Sequence, residues 1–298
     1  MLIAVFIAER GGTTVEWALE PFAATFMQRA LIVGLLVAVT CSLIGTWVVL
    51  RGLSFMGDAL AHGVIPGVAV AVLRGLDVTL GAAVAAAITV AGITLVGRRA
   101  RLPEDVGIGL LFVGMLSLGV MVISRSGSYS GDLAAILFGA VLGVTGADIA
   151  VQAVAAAVAV AGSVIAYRAF LVLAFDERKA QVLGFRPGLV HGALLAMIAL
   201  AVVSSFRSVG ALLVSALLIA PPATAALVVR RVPAMMTLAV VLGAAAVTLG
   251  LIVSYRFDLA AGPCMAGTAV AGFFAVLAVR EALGAARHVT ASGEPAAT

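Results

Sequence analysis

The chain has 298 residues, of which 63% are hydrophobic and 11% charged, and its formal charge is +4. Soluble domains carry about 25% charged residues, so this composition and a mean hydropathy of +1.24 exclude a water-soluble domain and define a polytopic membrane protein. In such a protein the basic surplus marks cytoplasmic loops, not a nucleic-acid partner.

In chain order, residues 1–21 form a lead-in. Its start, Met1 to Ala8, is apolar but lacks a basic lead, so it reads as interfacial and not as a signal peptide. A transmembrane domain follows over residues 22–285. The expected architecture is an all-α polytopic bundle of eight or nine spans with broken helices and a short cytoplasmic coupling helix. The spans are placed at 29–50, 58–74, 78–97, 107–124, 148–173, 188–206, 209–229, 234–255 and 263–282. With alternating spans, eleven Lys and Arg side chains fall on one side and six on the other, with Arg168 near a span end. Positive charge favours the cytoplasm, which puts the N-terminus outside and, for nine spans, the C-terminus inside. Cys41 and Cys264 are too few for a disulfide framework and are expected to pack as small hydrophobes, with Cys41 a remote candidate for a soft metal ligand.

The second span holds Asp58 and His62. An ionisable pair inside a membrane is costly and marks function by default, an Asp at mid-bilayer costing about 2.5–3.5 kcal/mol on insertion scales. Positions i and i+4 share a helix face, so both side chains can enter one cavity. Carboxylate oxygen with imidazole nitrogen suits Zn²⁺, Mn²⁺ or Fe²⁺ better than Mg²⁺ or Ca²⁺. Two ligands are too few for a structural site and suit transport, where an ion must also leave. A hydrogen bond serving only helix assembly and a proton relay are the other readings of the pair, and an acid–base role in an intramembrane enzyme is a third. Gly57, Gly63 and Gly67 permit close helix approach, and Pro66 removes a backbone bond one turn after His62.

After the fourth span, residues 126–131 form a polar outside turn and 133–142 a half-helix too short to cross. The stretch 174–187 carries helix signals: Asp176 as N-cap, Glu177 in the first turn, Gly184 as a left-handed C-terminal residue and Pro187 as a stop. It reads either as a solvated connector or as a helix docking into a partner. In the seventh span Pro221 and Pro222 free carbonyls that lipid cannot satisfy, so this broken helix must face protein or water, with Ser215 and Thr224 available to re-satisfy backbone. His191 and His288 read as interfacial or solvated, Asp132 and Asp148 as caps, and Asp77 and Asp258 as outside-loop residues. Residues 286–298 are expected to form a disordered cytoplasmic tail.

Lys179 is the single lysine and follows Arg178, so no P-loop can occur and the chain cannot hydrolyse ATP in the usual way by itself. The three histidines stand too far apart for a His-Glu-x-x-His zinc site.

The stretch VLRGLSFMGDALAHGVIPGVA at 49–69 resembles the signature of the permease subunits of bacterial ATP-binding-cassette importers for zinc, manganese and related divalent metals. VGALLVSALLIAPPATA at 209–225 resembles the second strong block of that family, and Phe175-Asp176 with Ala180, Leu183 and Gly184 resembles its cytoplasmic coupling segment. The similarity runs from about Phe22 to Leu283. It implies a homodimeric permease in the bacterial inner membrane, moving Mn²⁺ or Zn²⁺ without a permanently bound cofactor. Two cytoplasmic ATPase subunits and an extracytoplasmic metal-binding protein are the implied partners, with no nucleic acid. Asp58 and His62 would face the path, and Asp176, Glu177, Arg178, Lys179, Ala180, Leu183 and Gly184 would couple to the ATPase. Pro222 departs from the small non-proline residue often found there. The alternative is a proton-coupled carrier working without an ATPase.

Overall fold

The computed structural model describes residues 20–99, 104–125, 138–139 and 141–291. The lead-in as far as residue 19, the polar turn at 126–131, most of the half-helix at 133–142, Asp132 and the last seven residues lie outside the described part. Among the described residues there is no strand. Eleven helices follow one another: α1 Thr25–Leu50, α2 Ser54–Gly63, α3 Ile65–Arg74, α4 Val78–Arg99, α5 Glu104–Ile123, α6 Gly146–Ile165, α7 Tyr167–Phe175, α8 Glu177–Val182, α9 Pro187–Val228, α10 Val232–Phe257 and α11 Ala261–Ala291. Short 3₁₀ turns sit at Glu20–Ala23 and Val141–Gly143. Among the described residues, eight of the helical stretches, with α2 and α3 counted as one, are long and apolar enough to cross a bilayer.

α1 is the hub. It packs against α6, α9 and α10, and Val33, Val37, Cys41, Ile44, Trp47 and Val48 along it are fully buried. In lipid there is no hydrophobic drive between apolar helices, so small residues and polar contacts set the packing. Both occur here. A Cβ on Gly34 would meet Val247, and one on Gly243 would meet Ser42. Gln152 of α6 donates to the Thr40 hydroxyl of α1 at 3.2 Å and accepts from Ser205 of α9 at 3.3 Å. All three side chains are fully buried. Cys41 is a buried free thiol and Cys264 a half-buried one.

The expected sixth and seventh spans join in α9, a 42-residue helical stretch interrupted at Gly210, whose φ of 76° and ψ of 168° are non-helical. Unbroken, it would be about 63 Å long at 1.5 Å per residue, twice the ~30 Å hydrocarbon core. Its two ends meet the same end of α1. Arg51 donates from Nη1 to His191 Nδ1 at 2.7 Å, and Leu50 packs on the small cluster that holds Ala225. The middle lies at the opposite end, where Arg207 pairs with Asp148 at 3.6 Å and a Cβ on Gly139 would strike Gly210 and Val209. α9 therefore crosses and returns, with Gly210 as the elbow.

That elbow is where the chain breaks, eleven residues before the prolines. Pro221 and Pro222 lie within continuous helix. Ser215 and Thr224 do bond backbone, but to Ala211 and Ala220, at 3.1 and 2.7 Å. These are not the carbonyls of Leu217 and Leu218 that the prolines leave without an amide. Leu218 O instead rests on Gly45 of α1, where a Cβ would overlap it. Pro66 follows directly on the junction at which α2 ends and α3 begins. It occupies the first turn of α3, where its missing amide has no helical partner to lose, and Val64 joins α2 to α3 in right-handed helical geometry.

Two further boundaries differ from expectation. The span placed at 148–173 ends at Ile165, and α7 resumes at Tyr167, so that Tyr167 and Phe170 reach Trp47 with ring centroids 5.4 and 5.5 Å away. α11 continues past Ala286 to Ala291.

Candidate metal path

α2 opens at Ser54 just after the α1 terminus. A tight turn at Gly52, with φ of 68°, reverses the chain with Leu53 N bonded to Val48 O at 2.9 Å. Asp58 and His62 then fall one turn apart in a helix that packs against α5 and α9. Gly57 lies against Leu218 of α9, and Gly63 lies against Thr89 of α4, in each case where a Cβ would collide. Thr89 donates to the carbonyls of Ala85 and Gly63, at 2.9 and 3.4 Å. One helix further on, Gly67 and Gly81 pack so closely that a Cβ on either would meet the other's carbonyl.

His62 Nδ1 lies 3.3 Å from Asp58 Oδ1 and 3.1 Å from the Asp58 carbonyl oxygen. Both neighbours are acceptors, so the proton belongs on Nδ1 and the Nε2 lone pair is left for another partner. Phe112 of α5 stands edge-on to the imidazole, centroids 5.4 Å apart at 77°, and Phe55 lies tilted against Phe112 at 59° in turn. Ser215, on the returning leg of α9, turns its hydroxyl to the Asp58 carboxyl. The Asp58 side chain is 30% exposed and that of His62 is 20% exposed, so neither is sealed inside packed protein. Among the described residues no third His, Cys, Asp or Glu joins them.

The coupling segment forms as a separate short helix. Asp176 Oδ1 accepts from the amides of Arg178 and Lys179 at 2.9 and 3.1 Å, and Lys179 Nζ reaches Asp176 Oδ2 at 3.7 Å. Glu177 opens the helix. Gly184 ends it with φ of 82°, while Phe185 N bonds back to Ala180 O at 3.0 Å. Ala180 is fully buried, whereas Phe175, Val182 and Leu183 are exposed by 73, 87 and 62%. The six-residue helix is thus anchored by one alanine and turns Arg178, Lys179, Gln181 and Val182 outward, with Phe175 and Leu183 as exposed apolar flanks.

The remaining polar residues have local duties. Asp148 completes a capping box with Thr145 at the start of α6. Asp77 accepts from Leu80 N at 2.9 Å, and Asp258 ends α10 in the left-handed region. His191 is bonded to Arg51, and the side chain of His288 lies outside the described part. Sequence reading missed the Gln152 bridge and the position of Ser215 beside Asp58. A lone Gln in the Ala/Val-rich α6 was the available signal for the first. For the second no local pattern points across to another helix.

The ABC 3 transport family matches over residues 23–280. A "Probable iron transport system membrane protein" of Haemophilus influenzae is 35% identical over 263 residues, covering 88% of this chain and 97% of the relative. The "Manganese transport system membrane protein MntC" of Listeria monocytogenes is 37% identical over 250 residues, covering 84% and 89%. Among solved structures, PsaBC from Streptococcus pneumoniae in complex with Fab superposes with a TM-score of 0.78 at 33% identity, covering 89% of this chain and 95% of that one.

Proposed function

Since the chain belongs to the ABC 3 transport family, we propose that it is the permease subunit of an ATP-driven importer and that it passes Mn²⁺ inward along a path faced by Asp58 and His62. The observation that carries this reading is the orientation of the pair. With Nδ1 held by Asp58, His62 offers Nε2, and both side chains retain exposed surface in a membrane-spanning helix. Relatives named for manganese and for iron transport support a divalent first-row cargo. An oxygen and a nitrogen donor suit such an ion.

Two ligands hold an ion weakly, which favours release. A second copy of the chain would double the set, and two carboxylates would balance the charge of a dication. ATP hydrolysis belongs to separate cytoplasmic subunits, which dock on Phe175, Val182 and Leu183 around α8. An extracytoplasmic binding protein delivers the ion at the Arg207 end. The family membership favours this arrangement over a proton-coupled carrier working alone.

The test is uptake by the complete transporter in proteoliposomes. Asp58→Ala and His62→Ala each abolish Mn²⁺ uptake while assembly with the ATPase persists. Wild-type uptake by both variants would refute the proposed path.

A further inference from the structure

At the end of the bundle that carries Arg51, a groove of about 680 Å³ opens between the last turn of α9 and α11. Its floor is apolar. Leu227 and Val228 come from α9, and Ala275, Val279 and Leu283 recur every fourth residue along α11, which sets them in one stripe. Its rim is basic. Arg280 lines the groove, and Arg230 and Arg231 follow close on Val228 in the turn that leads into α10. All three arginines are exposed, and no carboxylate among the described residues pairs with them. Glu281 is the acidic side chain nearest in sequence and stands about 100° further round α11 than Arg280.

The groove lies away from the proposed ion path. Leu227 follows Leu218 by about two and a half helical turns, so it points opposite to the side of α9 on which Leu218 meets Gly57 of α2. A second copy that doubles the Asp58 and His62 set sits on the α2 side. α11 itself packs on α9 and α10 and turns Phe274, Val279 and Leu283 outward, each about 60% exposed, so this face meets the bilayer. The basic surplus marks the Arg51 end as cytoplasmic. The rim then stands at the headgroup level of the inner leaflet, where basic pockets between membrane helices take anionic lipid heads. An acyl chain matches the apolar stripe, and three cations without a carboxylate partner match a headgroup of net negative charge.

We propose that this groove holds one anionic phospholipid of the inner leaflet, its phosphate on the arginine rim led by Arg280 and one acyl chain along the Ala275, Val279 and Leu283 stripe. Seated there, the lipid joins the returning leg of α9 to α11 at the cytoplasmic end.

The experiment is native mass spectrometry of the permease–ATPase complex in detergent, titrated with phosphatidylglycerol or with phosphatidylcholine. The two lipids share a phosphate and differ in net charge. One phosphatidylglycerol per permease is expected to be retained in preference to phosphatidylcholine. Arg280→Gln is expected to weaken that binding about fivefold, as for one basic side chain at a membrane surface. Ala275→Trp, which keeps every charge and fills the groove, is expected to weaken it as well. Equal retention of the two lipids overturns the proposal, and so does a wild-type complex that retains neither, as it would if protein covered the groove. Unchanged affinity in Arg280→Gln overturns it by itself, whether or not Ala275→Trp assembles. Wild-type affinity in an assembled Ala275→Trp would mark loose pairing with surface arginines and overturns the groove. Displacement of the lipid by inorganic phosphate at constant ionic strength would mark a free-anion site and overturns it too.

Discussion

The carbonyl of Leu218 lies against the bare Cα of Gly45, where a side chain would overlap it. Pro222 takes away the amide that would otherwise bond that oxygen, and a Cα–H contact from a neighbouring helix is a weak replacement. Gly45→Ala pushes α1 and α9 apart in the half of α1 nearer Arg51. A loss of about 1–3 kcal/mol is expected, as for overpacked cores, read as a lower Tm of the detergent-purified protein. An unchanged Tm would show that the two helices separate without cost.

Gly210 is the elbow of α9, and its backbone angles belong to a region essentially restricted to glycine. Gly210→Ala is expected to lower the yield of correctly inserted protein and to destabilise what remains by about 1–3 kcal/mol. Protease accessibility of the two ends of α9, which both lie at the Arg51 end in the native fold, checks it. Retention of both ends on one side at wild-type yield would count against the elbow.

Gln152 joins three helices inside the membrane through Thr40 and Ser205. Interhelical hydrogen bonds in lipid average only about 0.6 kcal/mol, with a maximum near 1.7. Gln152→Leu is therefore expected to fold, with a Tm lowered by a few degrees. Adding Ser205→Ala to that variant should lower the Tm further by less than Ser205→Ala does alone, since the two share one network. Full additivity would mean the contacts are independent.

Asp176 caps α8 through two amides. Asp176→Ala is expected to fray the helix by about 0.5–2 kcal/mol and Asp176→Asn to preserve it. Co-purification of the ATPase with the permease is the readout, weakened in the alanine variant and restored in the asparagine variant. Equal recovery with both would place docking elsewhere.

The membrane character, the spans and the short helix at 174–187 were legible because each rests on a local property: a run of apolar residues, an acidic cap, a glycine stop. Asp58 and His62 were legible for the same reason, as rare charges at helical spacing. The turn between the sixth and seventh spans, expected at 206–209, falls beside the Gly210 elbow, whereas the helix runs on through the two adjacent prolines, Pro221 and Pro222, that give the stronger local break signal. Their actual cost is relieved from a distance by Gly45, which no window of sequence contains. Ser215 shows the same limit from the other side. Its own helix explains its hydroxyl fully, and only the approach of α2 reveals a second partner. The split at Ala166 follows from Trp47, more than a hundred residues away, drawing Tyr167 and Phe170 onto itself.

The connection from α8 to α9 is four residues long, and from there a single run of chain reaches Ser215 with one joint on the way. A push or twist applied to the exposed face of α8 has few loops in which to dissipate. It either bends the chain at Gly210 or arrives, as on a jointed lever, beside the Asp58 carboxyl. The short helix proposed to meet an ATPase subunit and the leg of α9 that lies beside α2 are thus mechanically linked along one stretch of polypeptide.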